Sequence, residues 1–218
     1  MADWLVTGAS GFLGARIVDT LGRATPMDAP SRREMDIADG ESCARYLARR
    51  APRVVVHAAA ISGIGDCEKD PAASERVNLR GAEHVARACA ATGAKLLFCS
   101  TDQVYTGCGG SEPLREDAPL RPLNVYARHK LAAEERVLAL CPNAVCLRLT
   151  WMFDLPALGM KTSPNLVVNL LRALLSGGEL SLPDDDHRAM TYAREVARAL
   201  PVMAEAAGGV YNFGSTNE

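Results

Sequence analysis

The stretch Leu5-Val-Thr-Gly-Ala-Ser-Gly-Phe-Leu-Gly14 constrains this chain more than any other. Trp4-Leu-Val is a short apolar run, as a buried parallel strand requires. Gly8, Gly11 and Gly14 follow at G-x-x-G-x-x-G spacing. Phe12, Leu13, Ile17, Val18 and Leu21 then recur at helical spacing, with Gly22 as terminator. The glycines therefore occupy a strand-to-helix turn. Gly8 permits the tight turn, Gly11 lets a phosphate reach the backbone, and Gly14 lets the helix pack close to the strand. The free N–H groups of the first helical turn, from Ser10 through Leu13, face a pyrophosphate whose charge the helix dipole favours. A purely structural turn has the same spacing, so the glycines alone do not decide.

The remainder alternates strands with helices. A short proline-flanked strand falls in residues 24–30, helices over 41–50, 71–92 and 124–140, and apolar strands over 52–57, 94–99 and 144–149. Residues 66–71 read as a polar loop and 106–122 as a Gly/Pro-rich one. Uninterrupted apolar strands alternating with helices give an α/β fold, a doubly wound parallel sheet covered on both faces. Ligands in such sheets lie beyond the carboxyl ends of the strands. Those ends carry Gly8–Gly14, Ala58-Ala-Ala60, Ser100-Thr-Asp102 and Thr150-Trp-Met152. Small residues at Ala58, Ala59 and Ala60 suit a cofactor cleft, and equally suit close strand-to-helix packing.

The 218 residues are 48% hydrophobic and carry a net charge of −2, which argues against a nucleic-acid or membrane-surface binder. No apolar run is long enough to span a membrane. The chain enters a strand at once without a signal-peptide pattern, so a cytoplasmic protein is expected. Seven cysteines without a C-x-x-C pair read as reduced, mostly buried thiols, and the four histidines show no ligand spacing with them, so no metal site is expected.

Tyr126-Ala-Arg-His-Lys130 is the second strong pattern. A tyrosine and a lysine four apart share one helix face. A nearby ammonium favours the phenolate and brings the phenol, which ordinarily titrates near ~10, within range of acid–base work. The pair suits a proton relay for carbonyl/alcohol chemistry. In isolation it is equally a surface pair. Behind a glycine turn, with Ser100-Thr101 ending the preceding strand, the catalytic reading is favoured, and Thr101 is placed to hold the substrate oxygen.

Thr7–Gly14, Met35-Asp-Ile37, Val56-His-Ala-Ala-Ala60, Cys67-Glu68, Val77-Asn78, Ser100-Thr-Asp-Gln-Val-Tyr105, Pro122-Leu-Asn-Val-Tyr126, Lys130 and Arg148-Leu-Thr-Trp151 together resemble the extended short-chain dehydrogenase/reductase superfamily. Within it they are most similar to the dTDP-4-dehydrorhamnose reductase family. The resemblance implies a Rossmann-type domain over 1–150 and a small C-terminal substrate lobe over 151–218, with the 191–207 helix packing back on the first domain. The chain stops at Glu218, soon after Tyr211-Asn-Phe-Gly214, where family members usually continue. The resemblance also implies NAD(P)H-dependent reduction of a nucleotide-linked 4-keto sugar, with Thr101, Tyr126 and Lys130 as the catalytic set. Asp36 and Ile37 would lie along the adenine. Asn78 would stand on the central helix, and Ser100, Thr150 and Trp151 beside the nicotinamide. Asp102, Val104 and Trp151 would face the sugar. A family segment D-Q-x-x-x-P-T appears here as Asp185–Thr191, with Met190 for the proline and Arg188 in place of a small residue. Arg188 resembles an arginine aimed at the substrate diphosphate, or is a solvated loop charge.

The cofactor cues conflict. Asp28, twenty residues after Gly8, could bind the ribose hydroxyls of NAD(H), but it falls inside the expected second strand. Anchoring Met35-Asp-Ile37 to the adenine segment brings Ser31-Arg-Arg33 to the strand end, where an arginine can fork a 2′-phosphate. NADP(H) is favoured, with Arg32 as leading contact and Arg33 beside it, unless both are merely solvated. A cofactor-retaining epimerase or dehydratase and a non-catalytic NADP-binding regulatory subunit stay as alternatives, and a homodimer is left open.

Overall fold

The computed structural model describes residues 3–109, 112–162, 165–181 and 189–215. Six parallel strands, β1 (Trp4–Thr7), β2 (Met27–Asp28), β3 (Val54–His57), β4 (Lys95–Thr101), β5 (Val145–Leu149) and β8 (Gly209–Phe213), form one sheet in the order β2-β1-β3-β4-β5-β8. Every neighbouring pair is parallel. The order doubles back beside β1, so the ends of β1 and β3 lie side by side, in the crevice where doubly wound sheets take ligands.

Helices cover both faces. On one, α2 (Gly40–Arg50), α5 (Gly81–Thr92) and α6 (Val125–Leu140) bury Tyr46, Leu47, Val85 and Val137 against Leu5, Val55, Leu96 and Phe98. On the other, α1 (Phe12–Leu21) and α8 (Ala193–Glu205) bury Leu13, Ile17, Val196 and Leu200 against Trp4, Val6, Leu97 and Leu147. Because strand side chains alternate, fully apolar strands are what such two-sided burial requires. A separate parallel pair, β6 (Trp151–Phe153) and β7 (Met190–Tyr192), lies outside the main sheet. The helix α7 (Leu166–Ser176) follows β6 in the chain.

Three local expectations change. Residues 66–71 are not a loop: Ile64–Lys69 form a short helix, α3, whose polar side chains face outward while Cys67 is buried. The 71–92 helix runs continuously, but between α4 (Pro71–Ser74) and α5 the turn Glu75–Arg80 is wound as a π-helix. The second strand is only two residues long, so Asp28 is its last residue and not an internal one.

Candidate functional site

The glycine turn has the geometry its spacing requires. Gly8 has φ +72°, and a Cβ there would stand 2.7 Å from the Ala59 backbone, so the turn after β1 touches the end of β3. A Cβ on Gly14 would stand 2.2 Å from the Gly8 carbonyl oxygen. At Gly11, the N-cap of α1, the nearest atom to such a Cβ is Gly8 O at 3.1 Å. Gly11 offers no side-chain cap, so the first helical N–H groups of α1 are left for a ligand. Leu13 is buried in the core, so only its backbone N–H can face the turn. Thr7 Oγ1 accepts from Ala59 N at 3.3 Å and lies 2.7 Å from His57 Nδ1, fixing the β1 and β3 ends together. Ala58 and Ala59 are half-buried and Ala60 is exposed. A cradle that added side chains would fill, at an uncapped helix N-terminus, fits a dinucleotide pyrophosphate.

Asn78 is 1% exposed, and its amide clasps Ile61, accepting from N and donating to O at 2.9 Å each. It holds the segment just after Ala60 from the π-helical turn, where extra width brings the side chain to the loop.

Beyond β2, Asp28 accepts from Tyr46 Oη at 3.0 Å and pairs with Arg50 at 2.9 Å. Its carboxylate is engaged by α2. Arg32 is 79% exposed and pairs with Asp36 at 3.2 Å. Asp36 also accepts from Ala38 N, and that bond, ahead of Arg32, holds its carboxyl below the ordinary value although burial opposes it. Arg33 is exposed, with no hydrogen bond or ion pair among the described residues. Ile37 packs against Gly81, and its carbonyl meets His84 Nδ1 at 2.9 Å.

The helix bearing Tyr126 and Lys130 is placed by two caps. Asn124 accepts from Ala127 N at 2.8 Å, and Glu68 of α3 accepts from Val125 N at 2.7 Å. Lys130 is 2% exposed. Its Nζ donates to Cys99 O at 2.6 Å and lies 3.9 Å from the Phe98 ring centroid. Burial brings its pKa down to about 8, against the opposing influence of Cys99, Glu134 and Cys146. The same burial, helped by the Lys130 charge, lowers His57 to about 3. Tyr126 is half-buried. Burial holds its phenol above the ordinary value, and the adjacent Thr101 hydroxyl opposes that rise. The expected lowering by Lys130 is absent here, because Lys130 turns its ammonium to Cys99 O and desolvation wins.

Thr101 ends β4 and caps the 3-10 turn Asp102–Tyr105, accepting from Gln103 N at 3.2 Å. Two side chains expected at the site are engaged elsewhere at this strand end. Val104 is fully buried, its side chain packed in the interior below the strand end. Ser100 donates its hydroxyl to buried Glu134 and does not offer it to a cofactor. Glu134 is itself paired with Arg148 at 2.8 Å, a connection the sequence reading missed. Its signal was available: Glu134 continues the Tyr126–Lys130 face one turn further, and Arg148 is a charge inside an apolar strand.

Thr150 Oγ1 lies 2.6 Å from Thr191 Oγ1, joining the end of β5 to β7, and Trp151 is 47% exposed. Arg188 lies outside the described residues. Also missed was Arg16, fully buried on α1, whose Nε donates to Asp154 at 2.9 Å and whose Nη1 donates to Lys161 O at 2.6 Å. It ties the glycine-turn helix to the segment after β6. Among the described residues no three His, Cys, Asp or Glu side chains converge as metal ligands, and all seven cysteines are free thiols.

A glycine turn at the head of a doubly wound parallel sheet, with Thr, Tyr and Lys gathered at the end of β4 and on α6, defines a Rossmann-type protein of the extended short-chain dehydrogenase/reductase class. Residues 2–218 match the RmlD substrate binding domain model, and the chain belongs to that family. It is 35% identical over 221 residues to the dTDP-4-dehydrorhamnose reductase of Streptomyces griseus, covering 98% of this chain and 70% of that one. It is 30% identical to the dTDP-4-keto-6-deoxy-D-glucose reductase of Streptomyces niveus, covering 99% and 73%. A crystal structure of the Bacillus anthracis dTDP-4-dehydrorhamnose reductase in complex with NADP superposes with a TM-score of 0.90 at 25% identity, over 100% of this chain and 76% of that one. The chain spans about two thirds of the length of some curated relatives, 66% for the Mycobacterium tuberculosis dTDP-4-dehydrorhamnose reductase.

Proposed function

We propose that the chain is an NADP(H)-dependent reductase of a nucleotide-linked 4-keto sugar, similar to dTDP-4-dehydrorhamnose reductase. The observation that carries this reading is the Tyr126 phenol beside the Thr101 hydroxyl at the carboxyl end of β4, in the same sheet whose β1 feeds the glycine turn. Residues 1–150 bind the cofactor and 151–218 contribute the sugar lobe. The bound cofactor supplies the hydride. Gly8, Ser10, Gly11, Phe12, Leu13 and Gly14 hold its pyrophosphate through backbone N–H groups and close approach. Asp36 and Ile37 line the adenine side, with Arg33, and Arg32 once released from Asp36, reaching the 2′-phosphate. Ala58–Ala60, Thr150 and Trp151 border the nicotinamide side.

Thr101 positions the C4 carbonyl oxygen, and Tyr126 donates its proton to that oxygen as it gains charge. The raised pKa keeps the phenol protonated, and so able to donate, throughout the neutral range. Lys130 has three donors, one committed to Cys99 O, and the others serve the ribose hydroxyls. Asp102 and Trp151 border the sugar. No helix among the described residues is long and apolar enough to cross a membrane, and a cytoplasmic enzyme fits the reading. An epimerase would leave NADPH unconsumed. The test is NADPH oxidation with dTDP-4-keto-6-deoxy sugars: stoichiometric consumption supports the reductase, and cofactor binding without turnover favours a regulatory subunit.

A further inference from the structure

Tyr126 and Lys130 are one turn apart on α6, and the next turn brings Glu134 to the same face. Glu134 is 2% exposed. It accepts from Ser100 Oγ, from Arg148 Nε at 3.2 Å to each oxygen, and from Arg148 Nη2 at 2.8 Å. Arg148 has donors left over. Its Nη1 reaches Tyr105 Oη at 2.5 Å and Glu116 O at 3.1 Å, and Tyr105 Oη in turn donates to Asn212 Oδ1 at 2.8 Å. One buried pair thus joins α6, the end of β4, the 3-10 turn after Thr101, the loop before α6, and β8.

An apolar pair of equal volume would seat the helix as firmly without desolvating two charges. What it would lack is direction. The carboxylate fixes Ser100, the residue before Thr101, and the guanidinium fork fixes Tyr105, which closes the turn that Thr101 caps. Glu134 is also the carboxylate one helical turn from Lys130. The other groups acting on that ammonium are the Cys99 and Cys146 thiols of β4 and β5, the His57 ring of β3 and the Phe98 ring.

We propose that Glu134, held by Arg148, is a positioning residue: it sets the seat of α6 against the β4 end so that Tyr126 and Lys130 meet Thr101, and it supplies a counter-charge to Lys130. This rests on the reductase reading, but one of its readouts does not. Glu134→Gln keeps the volume and removes the charge. With NADPH and the 4-keto sugar nucleotide, kcat should fall by about tenfold or more while the KM for NADPH moves less than about threefold. Independently of any substrate, the Lys130 side-chain titration, followed by the ¹³Cε shift, should move from near 8 to lower pH by about half a unit or more. The chain has four lysines, so Lys130→Met assigns the signal. A purely structural Glu134 would lower the melting temperature and leave the Lys130 midpoint in place. A folded variant with the wild-type midpoint and, where the wild type turns over, wild-type kcat overturns the proposal. A wild type that oxidises no NADPH while the midpoint still shifts overturns the reductase reading alone. Should Glu134→Gln fail to fold, Glu134→Asp keeps the charge but withdraws it from Ser100. The Lys130 midpoint should then hold within about 0.3 unit while kcat falls about tenfold, and retained kcat overturns the proposal.

Discussion

Gly14→Ala adds a single methyl group at the closest approach in the molecule between the glycine turn and the helix it feeds. The new Cβ would stand 2.2 Å from Gly8 O, 2.7 Å from Gly8 C and 2.8 Å from Ala9 Cα. All three atoms are backbone, so no rotamer change relieves the overlap. Reaching the 3.0 Å that real Cβ atoms respect requires α1 to withdraw from the turn by about 0.8 Å in an interior packed at crystal density. Overpacking of this kind costs about 1–3 kcal/mol, and at roughly 2–4 °C per kcal/mol for a chain of this size the melting temperature falls by about 2–12 °C. Affinity should suffer more. The withdrawal spoils the N–H groups aimed at the pyrophosphate. Losing two hydrogen bonds to charged oxygens, at about 1.5–3 kcal/mol each, weakens NADPH binding by about 10²-fold or more. Fluorescence titration with NADPH, beside a circular-dichroism melt, measures both. An unchanged NADPH Kd in Gly14→Ala would refute the placement of the pyrophosphate on this turn.

The double change Arg32→Ala plus Arg33→Ala should weaken NADPH binding about tenfold or more and leave NADH binding unaffected, at the cost of about one charge-assisted contact; an NADPH affinity that the double variant leaves at the wild-type value would show that neither arginine meets the 2′-phosphate. Asp154→Ala leaves fully buried Arg16 without its carboxylate and should destabilise the fold by about 3–5 kcal/mol, read as a drop in the urea midpoint; a wild-type midpoint would contradict the clasp. For pH, His57 is folded with its pKa lowered to about 3, by burial first and the Lys130 charge second. The unfolded chain binds the proton first, so stability contributed by neutral His57 is present above about 6.5 and is lost as pH falls toward 3. Urea midpoints at successive pH values should decline through that window in the wild type, and less steeply in His57→Gln; identical slopes would sink the assignment.

Much of the fold was legible because two-sided burial leaves a plain trace. The runs Val54–Val56 and Leu96–Phe98 are apolar without alternation, which only a covered parallel sheet demands. The glycine turn was legible for the same reason, since Gly8 and Gly14 are required by contacts with backbone. The Tyr126–Lys130 face followed from helical spacing. What escaped was tertiary. Short polar Asp66–Lys69 gives no periodic signal over so few residues, yet forms a helix whose Glu68 caps α6. Ser100 and Val104 look like cleft residues by position, but strand alternation turns Ser100 to Glu134, and the 3-10 turn buries Val104. The upward direction of the Tyr126 shift was not legible because its first cause is burial of the phenol, which only the tertiary fold supplies. Asp28 reads as a ribose ligand by spacing until Arg50 and Tyr46, folded over it from α2, are seen to occupy it.

The most direct test follows a label. With NADPH carrying deuterium at the transferable position and a dTDP-4-keto-6-deoxy sugar as acceptor, the wild-type chain should place one deuterium at C4 of the alcohol product. Tyr126→Phe should slow that transfer by about 10²–10⁴-fold while still binding NADPH. Undiminished transfer in Tyr126→Phe, or a wild type that binds NADPH and sugar nucleotide without moving the label, would contradict the account.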